Sequence, residues 1–268
     1  MAETLTEWLV APLGDVDAAS WRATLAEAKS VLARLAVRRA GSGPFRVTDH
    51  EVRVALCGDA ADDARQTPFA WTARTARRPL GLAAVRLLAA GGARSPVDAV
   101  RARLTEAEGW VRDGNPCATQ LDRWVAGLPA AGRAAVGAEA VTWATRLWCA
   151  LDWAALGPAP AVGRDRWWDS PHSALLALRG RAEVRTDRAN LVVLSGPRRE
   201  SVRAELALVT LVEALRSRDG ALPGRVVGWW PDSGRHVRVE PEPAVLTQGV
   251  EAVAHVLAGT GLPIRSAA

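Results

Sequence analysis

The sequence has no tyrosine, one lysine (Lys29), one methionine, two phenylalanines and three cysteines in 268 residues. Each shortage excludes something. Thiols at Cys57, Cys117 and Cys149 are too few and too far apart for a four-ligand structural zinc site or a four-thiolate iron–sulfur cluster. They are expected to be small buried residues, and an odd number of scattered thiols fits a reducing compartment. No run of 18 uninterrupted apolar residues is present, and Ala2-Glu3-Thr4 opens acidic rather than as a basic-then-apolar leader. A soluble, cytoplasmic protein with no membrane partner is therefore the expectation. No glycine-rich loop fits a phosphate- or dinucleotide-binding pattern, and Ser195 lacks the nucleophile elbow because Val193 and Pro197 stand where that turn needs glycine. His50, His172, His236 and His255 share no metal-ligand spacing. Nucleotide hydrolases, dehydrogenases and serine hydrolases are all poor fits.

What is present is a globular composition, 49% hydrophobic and 24% charged, long enough for one large domain or two lobes. The net charge of +5 comes from 33 arginines beside the single lysine. With so much Ala, Gly and Val, that imbalance matches GC-rich coding, so only clustered arginines bear on a phosphate partner. Tryptophan, used 12 times, is the large residue available to cores and grooves.

Thr4 to Val10 reads as a short strand or a helix start. Asp17 to Ser20 offers a helix cap, and Trp21, Leu25, Ala28, Leu32 and Leu35 then recur at helical spacing. Phe45 to Leu56 alternates loosely and predicts a strand pair turning at Asp49-His50. Gly58 to Gln66 is acidic and polar, an expected exposed loop. Further helices are expected up to about Ala90 with Pro79 in the first turn, from Ser95-Pro96 to about Val111, and over Thr119–Ala126. Ala130 to Trp153 carries a core arc of Val136, Ala140, Trp143, Leu147 and Leu151. Pro158 to Arg166 reads as a linker.

The stretch from Ala174 to Glu240 then reads strand, strand, helix, strand, strand. Leu191 to Leu194 is a buried strand closed by Ser195-Gly196-Pro197. From Glu200 to Arg216 there is no Gly or Pro, and apolar residues occupy two sides of the helix, which predicts burial on both. Gly224 to Trp230 and Arg235 to Glu240 read as strands around a Pro231–Gly234 turn. A last helix is expected over Pro243–Leu257. A mostly helical region over residues 1–128 followed by an α/β core over 129–268 is the expected division.

Long helix, three strands, buried helix and strand is an order that resembles the PD-(D/E)XK nuclease fold, a mixed sheet flanked by helices, and in particular its RecB-like branch. The resemblance covers roughly Gly132 to Glu240 and implies where site residues should fall. Gly180-Arg181-Ala182-Glu183 stands at the family's Gly-x-x-Asp element, so Glu183 keeps a carboxylate. Leu194 stands at the acid and Gly196 at the lysine of the next strand. On the following helix Glu205 replaces a glutamine and Val209 an aromatic, while Glu139 matches an upstream acidic position. In such nucleases two carboxylates hold Mg²⁺ and the lysine orients the attacking water. The departures imply no catalytic residues, no cofactor unless Mg²⁺ serves an active enzyme, and candidate metal ligands limited to Glu183, Glu139 and Glu205. Each has a plainer role open to it: Glu183 as a strand residue paired with Arg181 or Arg185, Glu139 as a solvated helix edge, Glu205 as the border of an apolar face.

Arg74, Arg77, Arg78 and Arg86, preceded by Phe69 and Trp71, form the densest basic cluster, and Arg198-Arg199 opens the buried helix. Arginines on phosphates with rings under bases would suit a single-stranded nucleic acid. A solvated helix face above buried rings is the plainer arrangement. The expectation is a degenerate nuclease fold that binds DNA or a protein partner in DNA processing. The alternatives are an active Mg²⁺-dependent nuclease with relocated ligands and a protein–protein scaffold without a nucleic-acid role.

Overall fold

The computed structural model describes residues 4–38, 45–57, 69–157, 160–171, 175–217 and 220–259. The expected acidic loop Gly58–Gln66, His172 and the Pro158-Ala159 part of the linker lie outside them. In chain order the elements are α1 (Leu5–Val10), α2 (Ala18–Arg38), β1 (Phe45–Val47), α3 (Asp49–Cys57), α4 (Ala73–Ala89), α5 (Pro96–Arg112), α6 (Gln120–Ala126) and α7 (Ala130–Cys149). There follow β2 (Ala161–Val162), β3 (Arg166–Asp169), β4 (Leu176–Gly180), β5 (Val184–Arg185), β6 (Ala189–Val193), α8 (Val202–Arg216), β7 (Arg225–Trp229), β8 (His236–Val239) and α9 (Pro243–Gly259). The protein is mixed α/β, with mixed sheets flanked by helices. No described helix is long and apolar enough to cross a membrane.

Two compact units are formed, residues 1–7 with 68–163 and residues 8–67 with 164–268. The chain is thus divided at 7/8, 67/68 and 163/164, with no break at 128/129. The first unit is helical because α4, α5, α6 and α7 pack their apolar arcs on one another. All five residues of the expected α7 arc are buried. Gly81 lets α4 approach α7, since a Cβ there would stand 2.5 Å from Trp143 Cε3. Three of these four helices start where the sequence offers a side-chain acceptor for unpaired N–H groups: Thr72 and Thr75 form a capping box for α4, Ser95 caps α5 with Pro96 at its first position, and Thr119 and Asp122 form a second box for α6. The Thr72 cap starts α4 earlier than expected, so Pro79 lies inside the helix rather than in its first turn and withholds the donor that would reach the Thr75 carbonyl.

Asp122 is fully buried and bound to Thr119 and Arg103. Burial alone would raise its pKa, but the backbone N–H and hydroxyl of Thr119 and the Arg103 guanidinium outweigh it and hold the carboxyl below its ordinary value of 3.8. A carboxyl depressed in the folded state contributes stability that is complete above its unfolded pKa and lost as pH falls through the lower folded one. Asp122→Asn should therefore be less stable than wild type at neutral pH, and the gap should close on acidification below 3.8. Urea midpoints of the two proteins along an acid series check this, and a gap independent of pH would count against it.

The second unit holds all three strands of one sheet and four strands of the other. In one, β1 and β3 flank β4, β1 parallel in the register Phe45↔Leu176 and β3 antiparallel in the register Arg166↔Gly180. In the other, β5, β6, β7 and β8 lie in that order. β5 and β8 are antiparallel to their neighbours, while β6 and β7 run parallel with Ala189 opposite Arg225 and Val193 opposite Trp229. Parallel neighbours need a crossover, and α8 supplies it. Its Leu208, Leu211, Val212 and Leu215 enter one core with α2, α9, β1 and β4. Its Val202, Leu206, Ala207 and Val209 enter another with Val192, Leu194, Val226 and Trp230. Truncating any of these leucines to alanine removes about 2–5 kcal/mol. Gly249 brings α9 down on α8, because a Cβ there would meet the Ala207 carbonyl oxygen at 2.8 Å.

Two expectations are corrected here. Phe45 to Leu56 is not a strand pair: only β1 is extended, and α3 begins at Asp49. Thr48 and Glu51 form the capping contacts, with the Thr48 N–H donating to Glu51 Oε2 at 2.9 Å and the His50 N–H to the Thr48 hydroxyl at 3.2 Å. Cys57, Cys117 and Cys149 are exposed free thiols rather than buried ones, since Cys57 and Cys149 are the last residues of α3 and α7 and Cys117 lies in the loop between α5 and α6.

Candidate functional site

The sheet edge where the resemblance places an acid and a lysine carries neither. The N–H of Leu194 continues the β6–β7 ladder by donating to the Trp229 carbonyl at 2.7 Å, and its side chain, 3% exposed, belongs to the apolar core under α8. Gly196 has φ +79°, the left-handed conformation that ends the strand in a turn.

Glu183 is fully buried between β4 and β5. Its Oε2 accepts the Val193 N–H at 2.7 Å, and its Oε1 lies 3.2 Å from Arg181 Nε. The Arg181 guanidinium also donates from Nη1 to Asp49 Oδ2 at 3.0 Å and from Nη2 to the Val193 carbonyl at 2.6 Å. Asp49, brought in by the first turn of α3, accepts from Arg179 Nη2 at 3.1 Å through its other oxygen. Burial would lower the Arg181 pKa, but Glu183, then Asp49, Asp165 and Glu205, outweigh it and raise the value above the ordinary one. Arg181 is thus permanently cationic.

Glu205, also buried, is held by Arg199 in a bidentate pair at 2.8 and 2.6 Å, and it accepts the Ser201 hydroxyl at 2.8 Å. Arg199 further donates to the Ser195 carbonyl at 3.0 Å, so the pair pins the turn after β6 to the first turn of α8. Glu139 belongs to the other unit and lies 3.5 Å from Arg77 on the partly exposed surface between α4 and α7. The oxygens of Glu183 and Glu205 are therefore engaged by guanidinium and N–H or O–H donors rather than gathered as a divalent-ion site, and these residues do not fit bound Mg²⁺ as they stand. Among the described residues no group of three or more His, Cys, Asp or Glu side chains could hold a metal.

Just beyond this edge a groove of about 1050 Å³ opens at the N-terminal end of α8. Arg198, Arg199, Arg203, Arg235, His236 and Trp230 are among its lining residues. Arg199 is neutralised by Glu205, which leaves Arg198, Arg203 and Arg235, all exposed, against the carboxylate of Glu200. Ser201 makes no side-chain cap, and Trp230 is buried with its Nε1 lacking a partner. Beside the groove, His236 packs edge-on to Trp8 at 4.4 Å and the Arg238 guanidinium stands 4.5 Å above the Trp8 ring. Arg203 and Arg235 were not among the residues expected from sequence; one lies a turn past Arg199 on α8 and the other in the β7–β8 hairpin, and only the tertiary fold joins them.

The other expected basic cluster divides. Arg74 is exposed and Arg78 half-buried. Arg77 faces Glu139, and Arg86 donates to the carbonyls of Val162 and Gly163, both at 3.1 Å. Phe69 is 72% exposed and packs edge-on to Trp71 at 4.8 Å, with Trp124 a further 6.3 Å from Trp71. Comparison with known protein families, with curated proteins and with solved structures finds no match.

Proposed function

We propose that the second unit is a PD-(D/E)XK fold of the RecB-like type that no longer cuts and serves as a DNA-binding module. The order β3, β4, β5, β6, α8, β7, with β6 and β7 parallel and α8 buried between layers, supports the fold. Leu194 and Gly196 in place of acid and lysine, with Glu183 tied to Arg181, support the loss of hydrolysis, because neither metal charge nor an amine is left to stabilise a pentacovalent phosphate. An active nuclease with relocated ligands would need Glu183 released from Arg181, or Glu205 from Arg199.

The observation that carries the binding reading is the groove. Three exposed guanidiniums surround a helix N-terminus without a side-chain cap, whose dipole favours an anion. Phosphate contacts of this kind give affinity without sequence preference. On labelled DNA, anisotropy titrations over a salt series should give binding whose log K falls with log[salt] at a slope of about −3, near −0.9 for each phosphate neutralised. The same DNA should stay intact in Mg²⁺ or Mn²⁺. Binding that is undetectable or indifferent to salt would overturn the reading, and cleavage would overturn its silence. A second reading, recruitment of a protein partner by the helical unit, draws on the exposed Phe69 with Trp71 and Trp124 beside it.

A further inference from the structure

Away from the basic groove, a cavity of about 200 Å³ lies where α2, the end of β3 and the last turn of α8 meet. Alternation along the strand decides what faces it. Trp167 and Asp169 fall on one side of β3, and Trp168 and the next residue but one, Ser170, on the other. Trp168 and Ser170 line the cavity, with Leu215 of α8, Ala33 of α2 and Pro171 completing its walls. The remaining lining residue is the chain's single lysine, Lys29, about one turn of α2 before Ala33.

Two polar groups of this lining have no partner. Ser170 is 5% exposed; its N–H donates to the Leu176 carbonyl at 2.9 Å, but its Oγ is buried without a hydrogen bond. A buried hydroxyl left in that state is destabilising, and folded proteins keep few of them. Lys29 is exposed and has no ion pair or hydrogen bond among the described residues. The one carboxylate on α2, Glu27, is two residues from Lys29 and so on another side of the helix. The carbonyl end of α8, which would oppose an anion, carries its own cation in Arg216, whose guanidinium also binds the Trp167 carbonyl.

We propose that this cavity binds a small carboxylate with a single-ring or similarly compact apolar body, independently of any nucleic acid. The apolar body lies among Trp168, Ala33, Pro171 and Leu215, while the carboxylate accepts from the Ser170 hydroxyl and faces the Lys29 ammonium. Size restricts the class, because about 200 Å³ is below the roughly 300–1,000 Å³ of sites for drug-sized ligands. An exposed ammonium alone gives little affinity. Selectivity comes from presenting the cation, the hydroxyl and the apolar walls together.

The experiment uses the full chain with three probes at constant ionic strength: sodium benzoate, benzamide, which keeps the ring without the charge, and sodium acetate, which keeps the charge without the ring. Saturation-transfer NMR reports binding, and thermal unfolding reports both binding and the integrity of each variant. Benzoate should bind with a Kd of about 1 mM, a range open to so few atoms, and about fivefold or more tighter than either control. Lys29→Met should weaken benzoate by about fivefold and leave benzamide unchanged. Ser170→Ala should weaken benzoate by a similar factor of about five, yet melt no lower than wild type without ligand, because the unpartnered hydroxyl is gone. Ala33→Phe, which fills the cavity from a half-buried position on α2, should abolish binding. If that variant does not fold, Lys29→Met and Ser170→Ala decide. Benzoate that does not bind at about 10 mM, or that binds no better than benzamide, overturns the proposal. So does benzoate that binds a folded Ala33→Phe, or both Lys29→Met and Ser170→Ala, as tightly as wild type.

Discussion

Replacing Glu213 with alanine should cost about 3–5 kcal/mol of folding stability, the largest effect expected from any single polar residue of the second unit. Glu213 lies in the last turn of α8, buried, with Oε1 accepting from Arg185 Nε at 3.0 Å and Oε2 paired with Arg166. Arg185 is itself buried in β5 and spends its remaining donors on the carbonyls of Gly180 at 2.8 Å, Ala182 at 3.3 Å and Arg164. Burial lowers the Arg185 pKa from its ordinary value, and Glu213 only partly opposes this. A cation that is already disfavoured by its surroundings would lose its buried counter-charge in Glu213→Ala. Exchange of both partners for methionine removes the charge with the countercharge and should be far milder, near neutral by comparison with other buried pairs. Urea midpoints for the two singles and the double, with slopes that stay constant, give the coupling directly. A loss below about 1 kcal/mol in Glu213→Ala would mean that the pair is effectively solvated, contrary to the burial of both side chains.

Arg185–Glu213 also marks what the sequence could and could not disclose. The apolar residues on two sides of α8, the absence of Gly and Pro within it, and the β-branched run of β6 are local patterns with one structural solution each, and strand, crossover helix and strand fall where those patterns place them. A glutamate within such a helix discloses nothing about which arginine, 28 residues earlier, will face it. The same holds for Glu183: its burial depends on Arg181 and on Asp49, 132 residues from Arg181 in sequence, and local alternation alone places the latter at a turn. There a local signal existed, since Thr48-x-x-Glu51 is a capping box, but loose alternation from Phe45 to Leu56 outweighed it. Phe69 illustrates the opposite limit. Its preference for burial is general, and exposure of a lone ring beside Trp71 could be found only from coordinates.

Replacing Arg198, Arg203 and Arg235 together with alanine should weaken DNA binding by about two to three orders of magnitude near 0.1 M salt and flatten the salt slope by about 2.7, three contacts at about 0.9 each. The two effects are linked: each guanidinium on a phosphate releases a counterion, so affinity and slope must fall in proportion if the groove is where the phosphates lie. Stability should barely change, because all three side chains are exposed, and unfolding midpoints serve as the control. Arg199→Ala behaves differently in this picture. Its charge is already balanced by Glu205, so its removal should unpin the turn after β6 and strand a buried carboxylate, lowering stability while leaving the salt slope little altered. A triple variant that loses affinity with an unchanged slope would mean that the groove binds DNA through something other than phosphate charge. One that loses neither would move the binding surface to Arg74 and the Phe69–Trp71 face of the helical unit, where an aromatic platform predicts a preference for single strands and a weaker dependence on salt.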